Sequence, residues 1–169
     1  SGTAGLVYQV VWVRILSLVF GNTVYAVSMV VAAFLAGLAL GSHYWGKRAD
    51  RIGTPLNLYI WLALGIALAA LVITFGIGLI DDLILGMMTV DSIGSGEWHV
   101  LRFVLMFLIL LVPTALMGAT TPVMGKVYID NFETVGRGIS ALYAANTYGA
   151  TIGAFLSGFL LIPLLTVNG

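Results

Sequence analysis

Cysteine is absent from the 169-residue chain, and charged residues make up only 8% of it. The lack of cysteine excludes disulfides, thiolate zinc sites and cysteine nucleophiles. The formal net charge is zero, so no electrostatic attraction towards nucleic acid is expected. The two histidines, His43 and His99, lie on different segments with no ligand spacing around them. We therefore predict no cofactor, no metal site and no nucleic-acid partner.

Hydrophobic residues, by contrast, make up 60% of the chain, and its mean hydropathy is +1.08. This apolar content exceeds what a core of this size can bury, so the excess is expected to face a lipid bilayer. A helix needs roughly 20 apolar residues to span a bilayer, and five segments qualify. An open sheet edge cannot exist in lipid, so all five are predicted to be helices. We predict an all-α membrane protein, a bundle of five transmembrane helices forming a single domain, with spans at residues 4–20, 24–45, 58–80, 100–125 and 139–165.

The charges of the connections predict the direction of these spans. One side carries five basic residues, and the other carries the uncharged turn at 21–23 and an acidic loop at 81–97. Because basic loops stay in the cytoplasm, we predict a cytoplasmic N-terminus, in the inner membrane of a bacterium. The apolar middle of the acidic loop, residues 83–88, is too short to span and is expected to be covered or to lie flat at the outer interface. The five basic residues are Lys47, Arg48, Arg51, Lys126 and Arg137.

An odd number of spans predicts that more of the protein follows. A sixth span after Gly169 would return the chain to the cytoplasm and complete the bundle, so we expect this chain to be a piece of a longer protein. No basic region precedes the first span, so no cleaved signal peptide is predicted.

Small residues recur at four-residue spacing on two of the spans. Such stripes let helix backbones approach closely, which matters because little hydrophobic force acts between helices in lipid. We interpret each stripe as a seat for a neighbouring helix of the same chain, with a second copy or a different membrane protein as alternatives. The stripes are Ala33, Gly37 and Gly41 in the second span and Ala145, Gly149 and Gly153 in the fifth, where Ala154 and Gly158 add a second register.

Three polar residues inside the apolar runs form a candidate intramembrane site. An arginine at the bilayer centre costs roughly 2.5–3.5 kcal/mol, so Arg14 is expected either to extend to the outer headgroups or to line a polar cavity. In a cavity it would meet an anionic ligand or a carboxylate such as Asp81. Gln9 and Asn146 are predicted to form interhelical hydrogen bonds, with a solute-lining role as the alternative.

The fourth span contains two prolines, Pro113 and Pro122. Each removes a helical hydrogen bond, and a kink is predicted near the first. Thr114, Thr120 and Thr121 flank the prolines, and we expect their hydroxyls to satisfy the carbonyls that a kink leaves unpaired.

The connection after the second span contains Gly46, Asp50, Arg51 and Gly53. This spacing resembles the loop between the second and third helices of the major facilitator superfamily. The resemblance implies half of a facilitator-like fold, with five helices of an original six. Glycines at these positions would permit a tight turn. The family usually continues with further basic residues, whereas this chain continues with Thr54 and Pro55.

A second resemblance covers most of the chain, through several blocks in a fixed order. They are similar to membrane-bound spermidine-synthase-like proteins, in which a facilitator-like helical region precedes a soluble aminopropyltransferase-like domain. The resemblance implies the membrane region of such a protein, without the glycine-rich nucleotide loop and amine-binding acidic residues of the catalytic half. The blocks are SGTAGLVYQVVWVR at 1–14, VFGNTVYA at 19–26, AAFLAGLALGS at 32–42, PTALMGAT at 113–120 and LYAANTYGA at 142–150.

Three functional hypotheses follow. The first is the membrane-embedded region of a spermidine-synthase-like protein, which anchors or scaffolds without chemistry of its own. The second is the half-bundle of a small-solute transporter, although no predicted span carries the Asp or Glu expected for proton coupling or cation binding. The third is a structural subunit packed in a larger membrane complex. The predicted partners are the lipid bilayer and other membrane helices: a sixth span, a second copy or a larger assembly.

Overall fold

The computed structural model describes residues 2–21, 23–49, 53–87, 96–128 and 135–163. These residues are helical apart from short connections, which agrees with the predicted all-α fold class. The helices are α1 (Gly2–Phe20), α2 (Thr23–Ala49), α3 (Pro55–Met87), α4 (Gly96–Tyr128) and α5 (Val135–Leu156), and α5 continues as a π-helical turn over Ser157–Leu161.

Gly21 separates α1 from α2, at the break that the sequence predicts. Its φ of +64° lies in the left-handed region, which glycine adopts without the steric cost of a β-carbon. Helices commonly end on such a residue. The short reversal allows α2 to pack along α1.

Helix α2 extends further than predicted, through Ala49. Gly46 therefore lies in its last turns and not in a tight turn, while Gly53 lies in the connection to α3, in open space. Asp50 and Arg51 lie outside the described residues. Pro55 is the first residue of α3, a position where an N–H group would have no partner within the helix. The Thr54 carbonyl accepts a hydrogen bond from the Leu58 N–H at 3.3 Å.

The predicted acidic loop is partly helical, which corrects the predicted boundaries. Residues 81–87 continue α3, and α4 begins at Gly96. A pair of aspartates does not break a helix, and the apolar residues after them allow it to continue. Each helix has 33 residues, or about 50 Å at 1.5 Å per residue. Both are therefore longer than the hydrocarbon layer of about 30 Å.

Three helical segments are long and apolar enough to cross a membrane, among the residues that the structure describes: Thr23–Arg48, Pro55–Gly76 and Phe103–Tyr128. These match the second, third and fourth predicted spans and, by length and composition, fit an integral membrane protein. Helix α1 contributes a shorter apolar stretch, Gly2–Leu18. In α5, Asn146, two threonines and several small residues lower the hydropathy. Crossing by α1 and α5 stays a prediction, and residues 164 and 165 of the fifth predicted span lie outside the described residues.

The helices pack in the order α5, α1, α2, α4, α3, and α2 and α4 form the most extensive contact. The core lies where α1, α2, α3 and α4 meet, and a smaller cluster joins α3 to α4. Helix α5 joins the bundle mainly through α1. Large, fully buried side chains fill the core, among them Trp12, Leu16, Met29, Met106 and Leu110.

Candidate functional site

The three residues of the predicted intramembrane polar site lie apart. Asn146 lies beside Gly2 at the start of α1: a β-carbon on Gly2 would collide with the Asn146 carbonyl oxygen and lie 3.0 Å from its Oδ1. Gln9 and Arg14 follow Gly2 by seven and twelve residues, or about 10 and 18 Å along the helix. Gln9 and Arg14 are also about 140° apart around α1 at 3.6 residues per turn. The backbone geometry therefore assembles no single site from these residues.

Arg14 lies on the exposed side of α1, whereas Trp12 and Leu16, two residues before and after it, are fully buried. Its carbonyl accepts a hydrogen bond from Ser17 Oγ at 2.7 Å. This placement directs the guanidinium away from the packed core, as extension towards lipid headgroups requires. Pairing with Asp81 stays a prediction, because that side chain is outside the described set.

Trp12 is the largest fully buried side chain described. Its ring stacks on Tyr8 one turn earlier, with 5.7 Å between ring centroids and 15° between ring planes. The indole N–H has no hydrogen-bond partner among the described atoms. The contacts of Trp12 are therefore those of a packing residue in an apolar core.

The stripe on α2 seats α4. A β-carbon on Gly37 would lie 2.6 Å from Cβ of Thr114, and one on Gly41 would lie 2.7 Å from the carbonyl carbon of Ala115. Thr114 Oγ1 lies 3.2 Å from the carbonyl oxygen of Ala33. A glycine of α4 likewise approaches α2, since a β-carbon on Gly118 would lie 2.7 Å from Cα of Leu38. This α2–α4 seam occupies the stripe within the chain and leaves no room there for a second copy.

The stripe on α5 seats α1 over part of its length. A β-carbon on Gly149 would lie 2.8 Å from Thr3 Oγ1, and one on Gly153 would lie 2.9 Å from Thr3 Cα. Ala145, the third predicted member, is exposed. The contact continues instead through Ser157, which is fully buried, into the π-helical turn that packs on α1.

A second face of α5, about half a turn away, carries small residues without a neighbour. Ser140, Ala144, Thr147 and Thr151 are exposed, and Gly158 is exposed with no atom within 4 Å of the position that a β-carbon would take. We call these five residues the free face of α5. Of these five residues, only Gly158 belongs to a small-residue stripe predicted from the sequence. Three of the other four are serine or threonine, which a search for glycine and alanine does not find.

The hydroxyls beside the prolines bind carbonyls other than the expected ones. Thr114 Oγ1 lies 2.8 Å from the carbonyl oxygen of Leu110, whereas Pro113 leaves the carbonyl of Ile109 without its helical partner. Thr120 Oγ1 donates to the Met117 carbonyl at 2.6 Å. Both hydroxyls are buried. A bond within its own helix satisfies Thr120, whereas Thr114 can donate to the Leu110 carbonyl in its own helix or to the Ala33 carbonyl across the seam.

Near the basic end of α2, a groove of about 380 Å³ opens between α2 and α4. Its lining is mostly apolar but includes one histidine, His43. The lining consists of Leu40, Gly41, His43, Tyr44 and Trp45 of α2 and Ala115 and Leu116 of α4. The guanidinium carbon of Arg48 lies 4.4 Å from the centroid of the Tyr44 ring, within the range of a cation–π contact. Sequence reasoning missed this groove, although the Tyr44 and Arg48 spacing of four residues was a signal for their contact.

Among the described residues, no three His, Cys, Asp or Glu side chains come together as metal ligands. No protein-family model, curated protein or solved structure gives a significant match to the chain.

Proposed function

We propose that this chain is the membrane-embedded helical region of a larger protein, and that it anchors or scaffolds a functional part outside the bilayer. The observation that carries the proposal is the filled interior. Trp12, Leu16, Met29, Met106 and Leu110 are fully buried where α1, α2 and α4 meet. An interior packed with large apolar side chains suits a rigid anchor better than a path for a polar solute.

The resemblance to spermidine-synthase-like proteins supports the same role. Four of its five sequence blocks pack on each other in pairs. The block at 32–42 meets the block at 113–120 along the α2–α4 seam, and the block at 1–14 meets the block at 142–150 where Thr3 approaches Gly149. The residues that carry the resemblance therefore form close contacts between helices, as a membrane scaffold requires. Facilitator-like half-bundle architecture and an aminopropyltransferase-like partner domain belong to this proposal.

Fusion to a fluorescent protein tests the anchoring role. With the reporter at the C-terminus, we expect fluorescence to stay in the membrane fraction after an alkaline carbonate wash, while the reporter alone is released. Purified chain in proteoliposomes is expected to take up radiolabelled spermidine no faster than empty vesicles. Release by carbonate would contradict anchoring, and uptake above the empty-vesicle rate would favour the transporter half-bundle.

Orientation belongs to the proposal as well, with the basic end of α2 in the bacterial cytoplasm. The chain has no native cysteine, so single cysteines can be introduced at Thr23 and Gly53, both exposed. We expect a membrane-impermeant maleimide to label Thr23→Cys in intact cells and Gly53→Cys only after permeabilisation. The reverse pattern would contradict the proposed direction.

The free face of α5 favours the structural subunit as a second candidate. Exposed small and hydroxyl side chains are typical of helix contacts in lipid. A photoreactive group on Thr147→Cys would then crosslink to another membrane protein, whereas the same group on Leu68→Cys, an exposed leucine of α3, would meet lipid only. Equal yields at the two positions would remove the support for this candidate.

A further inference from the structure

The groove beside the basic end of α2 combines three features at one level of the membrane. Lys47 and Arg48 are both exposed in the last turn of the helix. Tyr44 and Trp45 lie just before them, with their rings edge to face at 5.8 Å. The aromatic pair lines one end of the groove of about 380 Å³.

The groove exists because of the α2–α4 seam. Gly41 and Ala115 touch through backbone atoms, and neither carries a side chain long enough to fill the space next to the contact. Leu40 and Tyr44, each about half exposed, form one wall without closing it. The opening is therefore bounded by protein on two sides and is accessible from the surrounding lipid.

Distances along α2 fit one ligand class. Gly41 precedes Lys47 by six residues, or about 9 Å along the helix axis. Tyrosine and tryptophan are enriched at the headgroup level, so Tyr44 and Trp45 mark the boundary between headgroup and acyl chain. A molecule with an anionic head and an apolar tail would place its charge at Lys47 and Arg48 and its tail in the groove.

We propose that this groove is a binding site for one anionic phospholipid. Basic pockets between transmembrane helices bind such headgroups, and the guanidinium of Arg48 can donate to a phosphate from its edge while its face contacts the Tyr44 ring. A zwitterionic lipid offers the same acyl chain without the net charge. The inference requires α2 to span the bilayer and does not depend on the anchoring function.

Quenching by brominated lipids tests the site. A bimane fluorophore on Leu40→Cys reports on the groove, and one on Leu68→Cys, also an exposed leucine, reports on ordinary lipid contact. Each probe is measured with brominated phosphatidylglycerol and brominated phosphatidylcholine. We expect phosphatidylglycerol to be preferred at Leu40 by about fivefold or more, since each basic residue near the headgroups contributes on the order of fivefold. At Leu68 the ratio of the preference for phosphatidylglycerol to that for phosphatidylcholine should be close to one.

Charge variants identify the source of that preference. Lys47→Gln with Arg48→Gln should abolish it at Leu40, while Arg137→Gln, which removes an exposed cation on α5, should leave it intact. A preference near one in the unmodified groove would overturn the proposal, as would an equal preference at Leu68 or an equal loss in Arg137→Gln. Protection of the Leu40 probe from both lipids would also overturn it, because a protein helix would then occupy the groove.

Discussion

Replacing Gly41 with alanine should destabilise the protein by forcing α2 and α4 apart. The new β-carbon would collide with the Ala115 carbonyl oxygen and lie 2.7 Å from its carbonyl carbon. These are backbone atoms, so they cannot rotate away as the end of a side chain can. Ordinary contact begins near 3.4 Å, so the carbonyl carbon alone requires a local separation of 3.4 minus 2.7, or 0.7 Å, and the nearer carbonyl oxygen requires more.

The expected cost follows from that separation. Overpacking of a close contact costs typically 1–3 kcal/mol. A shift of 0.7 Å would lengthen the 3.2 Å contact from Thr114 Oγ1 to the Ala33 carbonyl to about 3.9 Å, beyond hydrogen-bonding distance. Alanine returns up to about 1 kcal/mol through its better helix propensity. We therefore expect a net loss of about 1–2 kcal/mol in the free energy of unfolding.

Unfolding by dodecyl sulfate in mixed micelles, followed by far-ultraviolet circular dichroism, measures this loss. Gly76→Ala is the matched control, because Gly76 is also helical but a β-carbon added there would have no atom within 4 Å. That variant should be neutral or slightly stabilised. If Gly41→Ala proves as stable as Gly76→Ala, close backbone approach does not hold α2 against α4, and the reasoning is refuted.

The same titration checks three further substitutions. Thr114→Val removes a buried hydroxyl from the α2–α4 seam and should cost about 0.6 kcal/mol, the mean for interhelical hydrogen bonds in lipid; Thr151→Val, at an exposed position, should cost less. Trp12→Ala should cost about 3–5 kcal/mol because it empties the core, whereas Trp61→Ala, at a residue 72% exposed, should stay within about 0.5 kcal/mol. Gly21→Ala should cost about 1 kcal/mol, because alanine is strained at a φ of +64°. An unchanged midpoint for Trp12→Ala would contradict the core placement.

Much of the helix layout could be predicted from the sequence because lipid leaves few alternatives. Long apolar runs in a bilayer must be helical, and Gly21 interrupts them where α1 ends. The extent of α3 could not be predicted in the same way. Asp81 and Asp82 are charged, which favoured a loop, but a charged side chain leaves the helical backbone hydrogen bonds intact, and α3 continues through both residues to Met87. Charge therefore indicates where a helix leaves the membrane, and not where the helix ends.

The candidate site was less predictable, because spacing along one helix does not identify the neighbour. The spacing of Gly37 and Gly41 predicts a contact stripe, but their partners Thr114 and Ala115 follow only from the packing of α2 on α4. Gln9, Arg14 and Asn146 share polarity in an apolar setting, which suggested one site. The structure separates them, because Asn146 of α5 meets the first turn of α1, whereas Gln9 and Arg14 lie further along α1.

Helix packing and lipid binding have a common origin at the α2–α4 seam. In lipid, two helices gain little from excluding solvent, so their attraction depends on how closely the backbones approach. Gly41 and Ala115 allow that approach because they lack long side chains, and for the same reason they leave the neighbouring space unfilled. A side chain large enough to fill the groove from either position would separate the helices that form it. The groove is therefore a consequence of the close contact, and an acyl chain can fill it without weakening the seam.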